Sequence, residues 1–107
     1  MEKKDKLYMS EFNDYYGAML TSHQCDLIKR YYDEDMSLSE IGMELGISPQ
    51  GVRDALKRAE NTLEQFEKKL GLVEKTNKLK ALLKQLYPLA NSSQKKEIEQ
   101  AVQLLDE

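Results

Sequence analysis

The chain has 107 residues, 40% of them apolar and 33% charged, with a formal net charge of −3. That length suits one domain, or one domain with a short appendage, and the acidic balance argues against coating nucleic acid by bulk charge, because such domains are as a rule basic. One cysteine, Cys25, and one histidine, His23, exclude an intramolecular disulfide and leave too few His/Cys ligands for a zinc cluster.

Five glycines and two prolines among many Leu, Glu, Lys and Gln predict an all-α chain. Phe12, Tyr15, Tyr16 and Met19 recur at three- and four-residue spacing, which predicts a first helix from about Tyr8 to Met19. Thr21 and Gln24 form a capping box, in which the hydroxyl accepts the N3 amide and the Gln side chain reaches back. The second helix carries Leu27, Ile28 and Tyr31 and stops near Asp33-Glu34-Asp35, three acids badly placed against a helix C-terminal dipole. A second box, Ser37 with Glu40, opens a short third helix with Leu38, Ile41 and Leu45 inward and Gly46 as its C-terminal cap. Ser48 caps the fourth helix, and Pro49 sits at its first position, where a missing amide is harmless.

The fourth helix is long. Val52, Leu56, Ala59, Leu63, Phe66 and Leu70 follow in alternating steps of four and three, an a/d seam that ends at Gly71. Such a seam suits either a homodimer or packing against the fifth and sixth helices. A fifth helix is predicted from Thr76 to Leu86, with Leu79, Leu82, Leu83 and Leu86 on one stripe, stopped by Tyr87-Pro88. A sixth starts at Ser92 or Ser93 and carries Ile98, Ala101, Val102 and Leu105. No internal repeat is visible. Residues 1–71 hold 10 basic and 14 acidic side chains and residues 72–107 hold 6 and 5, so the chain is read as a domain over 1–71 and a C-terminal helical hairpin over 72–107, expected to pack on it.

The informative stretch runs from Ser37 to Arg58, "SLSEIGMELGISPQGVRDALKR". A capped short helix, a glycine turn and a Ser-capped second helix form the helix-turn-helix pattern. Ile41 and Leu45 must meet Val52 and Leu56 across the turn, which leaves Ser48, Gln50, Arg53 and Lys57 on the outer face that usually reads a major groove.

This stretch resembles region 4 of bacterial sigma factors. The wider segment Phe12 to Lys75 is similar to the YlxM-like family of signal-recognition-particle-associated proteins, through "YYGAMLT", "YYDEDMSLSEI" and the ending Phe66-Glu67-Lys68-Lys69-Leu70-Gly71-Leu72. The resemblance implies a small helical bacterial cytoplasmic protein with a sigma-region-4-like bundle. It also implies a regulatory or accessory role beside the particle's RNA, its GTPase, or both. Two departures stand out: position 51 is Gly where Ala is common, and position 53 is Arg, which favours a phosphate or base contact.

Charge permits modest nucleic-acid binding. Arg53, Lys57 and Arg58 stand against Asp54 and Glu60 on the fourth helix, enough for about three phosphates and hence weak, salt-sensitive binding. The second basic stretch, with Lys75, Lys78, Lys80 and Lys84, suits RNA phosphates or a solvated helix face. DNA is the alternative ligand, and a protein-binding adaptor is the third reading. The Tyr15-Tyr16 and Tyr31-Tyr32 pairs are expected in or near the core, and His23 is expected to face solvent. Asp33, Asp35, Ser37, Ser39 and Glu44 fall at calcium-loop offsets, but Leu38 occupies the required glycine position. No metal site, cofactor motif or catalytic constellation is present in the sequence. No window approaches the ~20 apolar residues of a membrane span, so neither an enzyme nor a membrane protein is expected.

Overall fold

The computed structural model describes residues 6–106, and among them there is no strand. The chain divides into two compact units, Met1–Gly71 and Leu72–Glu107. No helix among the described residues is long and apolar enough to cross a membrane.

The first unit contains four α-helices: α1 (Lys6–Tyr16), α2 (Ser22–Ile28), α3 (Leu38–Leu45) and α4 (Pro49–Leu70). α1, α2 and α3 all pack on α4. The buried apolar side chains are those of Met9, Phe12, Tyr16, Leu20, Leu27, Ile28, Tyr32 and Ile41, with Val52, Leu56, Ala59 and Leu63 from α4. Each large side chain so buried is worth roughly 1.5–3 kcal/mol. The seam of the fourth helix is therefore core. Val52, Leu56, Ala59 and Leu63 are taken up by the chain's own first three helices and are not free for a second copy. Of the seam's remainder, Phe66 stacks on Tyr16 with ring centroids 5.8 Å apart, and only Leu70 is largely exposed.

The caps follow the sequence. Gln24 N–H donates to Thr21 Oγ1 at 3.1 Å and Thr21 N–H to Gln24 Oε1 at 3.2 Å. Glu40 N–H donates to Ser37 Oγ at 3.1 Å and Ser37 N–H to Glu40 Oε1 at 3.0 Å. Two helix ends differ from expectation. α1 stops at Tyr16 and tightens into a 3-10 turn, Gly17–Met19, so Met19 is half-exposed and Leu20 takes the buried place. After Ile28 the second helix widens into a π-helical segment, Lys29–Asp33, with Glu34 N–H donating to the Lys29 carbonyl at 2.9 Å. Asp35 then takes a left-handed conformation, φ 57°, which a short polar side chain tolerates. Tyr16 and Tyr32 are buried, Tyr15 and Tyr31 half-buried, and His23 is exposed.

The second unit is a helical hairpin of α5 (Leu72–Leu86), a 3-10 turn (Tyr87–Leu89) and α6 (Ser92–Asp106). α5 starts four residues before the predicted Thr76, directly after Gly71. Its first turn was hidden because Val73, the one buried residue of this unit among those described, lies off the leucine stripe. α6 starts at Ser92, as the sequence predicts, and Asn91 caps it: Gln94 N–H donates to Asn91 Oδ1 at 2.8 Å and Asn91 N–H to Gln94 Oε1 at 3.0 Å.

Candidate nucleic-acid interface

The corner between α3 and α4 is built from backbone geometry. Gly46 ends α3 with φ 72° and ψ 31°, a conformation that costs a residue with a Cβ. Its N–H and that of Ile47, the latter at 3.0 Å, both donate to the Gly42 carbonyl, which closes the turn. A Cβ at Gly42 would stand 2.6 Å from the Ile47 carbonyl oxygen and 3.5 Å from Pro49 N. Gly42 thus lets the turn lie against α3, and its place within the patterned stretch is the signal that sequence reasoning passed over. Ser48 Oγ accepts from Gly51 N–H at 3.0 Å, and Pro49 follows as the first helical residue.

Two buttresses hold this corner. Arg30 bonds Asp26 at 2.7 Å and also pairs with Glu44, tying the second helix to α3 and offsetting part of the charge of these two acids. The hydrogen bond to Asp26, then that to Glu44, raises the Arg30 pKa. Deeper in, the Tyr32 hydroxyl donates to Glu60 Oε2, joining the π-helical segment to α4. Burial first, and then this bond, pushes the Tyr32 hydroxyl well above the usual phenol range. Sequence reasoning missed this pair. Its one local signal is an acid, Glu60, at four residues from Leu56 and three from Leu63 on the apolar face.

The structure places four of the predicted nucleic-acid residues, Gln50, Arg53, Lys57 and Arg58, on α4, and Ser48 at its N-cap. Ser48 is committed to its cap, and Gln50 Nε2 donates to Asp54 Oδ1 at 3.0 Å, so its amide is shared with an acid of the same face. Arg53, Lys57 and Arg58 are exposed. From Gln50 to Lys57 the stripe runs roughly 10 Å at 1.5 Å per residue, close to the ~12 Å width of a B-form major groove.

The four lysines of α5 lie in the other unit and do not share one face. At 3.6 residues per turn Lys75 and Lys78 lie on one side of the helix, and Lys80 and Lys84 roughly opposite. Lys78 pairs with Glu74 at 3.0 Å and Lys80 with Asp106. The basic stretch is thus two small groups, two of its members already ion-paired. Among the described residues no group of three or more His, Cys, Asp or Glu is placed to hold a metal ion.

A capped short helix, a left-handed glycine corner and an exposed basic stripe on the following helix define a helix-turn-helix protein. Residues 2–105 match the UPF0122 family model, described as "Putative helix-turn-helix protein, YlxM / p13 like", and the chain belongs to that family. A UPF0122 protein of Caldanaerobacter subterraneus subsp. tengcongensis is 55% identical over 71 residues, 66% of this chain and 61% of the relative. One of Desulforamulus reducens is 54% identical over 63 residues, 59% of this chain and 54% of the relative. The UPF0122 protein YlxM of Bacillus subtilis (strain 168) is 40% identical over 89 residues, 83% of this chain and 81% of the relative. The chain thus spans less than two thirds of the first two relatives' lengths.

Proposed function

We propose that this is a non-enzymatic, cytoplasmic nucleic-acid-binding protein that serves the signal recognition particle pathway as an accessory or regulatory factor. The observation that carries nucleic-acid binding is the α4 stripe, where Arg53 and Lys57 stand exposed behind a corner fixed by Gly42, Gly46 and Ser48, with Arg58 exposed on the flank of the helix about 100° round from Lys57. The pathway assignment rests on the resemblance of Phe12 to Lys75 to the particle-associated family. The particle's RNA is the favoured ligand and its GTPase the accompanying protein. About three phosphates make a weak, salt-sensitive contact, which suits a factor whose partner supplies further affinity. Gel-shift of the particle RNA by the full chain tests this. A saturable shift that weakens on Arg53→Ala/Lys57→Ala supports it, and no shift, or one those substitutions leave unchanged, removes it.

The second reading, a sequence-specific DNA-binding regulator of sigma-region-4 type, is favoured by the groove-scale spacing of Gln50, Arg53 and Lys57. It expects random-site selection to enrich one DNA motif, with Arg53→Ala relaxing a single position. An unenriched pool removes it. A homodimer would double the phosphate contacts on either ligand, and it must form through residues other than Val52, Leu56, Ala59 and Leu63.

A further inference from the structure

We infer that Asp54 sets the base preference of the α4 surface: its carboxylate, steadied by Gln50, accepts a hydrogen bond from the exocyclic amine of a cytosine. The inference rests on α4 being the nucleic-acid surface and names what that surface reads.

Helical phase puts this acid in the middle of the exposed face. At about 100° per residue Asp54 stands roughly opposite the buried line of Val52, Leu56 and Leu63. Gln50, Asp54, Lys57 and Asn61 are all exposed and fall within an arc of roughly 60°. Arg58 lies on one flank of that row. A surface shaped only to hold phosphates is weakened by a carboxylate at its centre, because the acid repels phosphate oxygens and offers them no donor. Arg58, four residues on, stands at the spacing of a helix ion pair. The carboxylate's bond is instead to a neutral amide: Gln50 Nε2 donates to Asp54 Oδ1 at 3.0 Å. That bond orients the side chain without cancelling its charge, and it uses one of about four acceptor sites.

Acceptor chemistry selects the base. Guanine presents N7 and O6 in the major groove and thymine presents O4, all acceptors that repel a carboxylate. The amine of adenine stands beside its N7 acceptor. Cytosine presents its N4 amine, the donor that an Asp or Glu side chain takes. The row from Gln50 to Lys57 is about one groove wide, and Asp54 lies midway along it, over the base edges and away from both backbones. An unpaired cytosine in an RNA loop offers the same amine. The chemistry is common to the two nucleic acids, and the test separates them.

Selection by the full chain from two randomised pools, one of duplex DNA and one of RNA hairpins, tests this. Wild type is expected to enrich a cytosine at one position in one pool, which names the source. Replacing that cytosine should weaken binding by roughly fivefold to a hundredfold in fluorescence anisotropy, the usual cost of one mismatched position. Asp54→Asn should erase the cytosine preference and raise affinity for unselected sequence by about twofold or more, since one charge facing the phosphates is gone. Helix content by circular dichroism should stay unchanged, and Asp54→Glu should keep the preference. A merely structural residue gives no such gain in non-specific affinity. Binding to either pool without an enriched cytosine overturns the inference and leaves the α4 surface standing. So does a cytosine preference that Asp54→Asn preserves. No binding to either pool overturns the inference together with the reading on which it rests.

Discussion

Replacing Tyr32 by Phe keeps a ring that is 3% exposed and removes one hydroxyl, the donor to Glu60. Glu60 is itself buried, so its carboxylate then lacks the bond that compensates its removal from water. Stranding a buried acceptor in this way costs roughly 1–3 kcal/mol, and bonds to charged groups lie at the upper end, so a loss of about 2 kcal/mol is expected. That loss lowers the folded-to-unfolded ratio about thirtyfold, out of a total of roughly 4–10 kcal/mol for a 71-residue unit. Urea unfolding followed by circular dichroism should show a lower midpoint with an unchanged slope. Glu60→Gln keeps an acceptor and should cost less. Tyr32→Phe/Glu60→Met removes both partners and should recover part of the loss.

The same bond has a pH signature. The Tyr32 hydroxyl titrates far above its unfolded value of about 10, so the neutral form is the one the fold stabilises. Its contribution is fully present below pH ~10 and is lost as pH rises beyond it. The stability gap between wild type and Tyr32→Phe should be flat from neutral pH to about 9 and close above about 10. A gap under about 0.5 kcal/mol, or one that stays constant into alkali, would refute the reasoning.

Two further substitutions probe the corner and its cap. Gly42→Val sets a branched side chain against the Ile47 carbonyl and should destabilise by about 1–3 kcal/mol while weakening nucleic-acid binding. Gly42→Ala should cost less, because the roughly 1 kcal/mol gain in helix propensity opposes the clash; thermal melts check both, and a valine variant as stable as wild type refutes the close approach. The Ser37 backbone N–H, then its hydroxyl, holds the Glu40 carboxyl below its ordinary range of about 4.3. The bond's contribution is therefore present at neutral pH and is lost as pH falls through the lowered value. Any advantage of wild type over Glu40→Gln should vanish in acid, and a difference unchanged down to pH ~2 would contradict the assignment.

What the sequence makes legible follows from range. The caps at Thr21, Ser37 and Ser48 involve partners three residues away, so residue type and spacing suffice. The buried face of α4 is likewise written in its period, but a period states that a face is covered and not by what. The same residues that suit a dimer seam are covered here by α1, α2 and α3. The Tyr32–Glu60 bond spans 28 residues and has no local pattern to announce it. The lysines of α5 show a different failure. Counted along the sequence they form a basic patch, while their helical phase and the partners Glu74 and Asp106 divide them. The corner's tolerance for Gly42 alone needs the turn's path, which emerges only when α3 and α4 are both in place.

The claim on which the functional reading rests is that the exposed basic stripe of α4 is the nucleic-acid surface. Its most direct test is the salt dependence of binding to a labelled duplex, followed by fluorescence anisotropy from about 50 to 200 mM salt. About three phosphate contacts predict a slope of log K against log salt near −3, and Lys57→Ala should bring it about one unit closer to zero with the fold unchanged. No saturable binding at 50 mM salt, or a slope that Arg53→Ala and Lys57→Ala both leave unaltered, would contradict it.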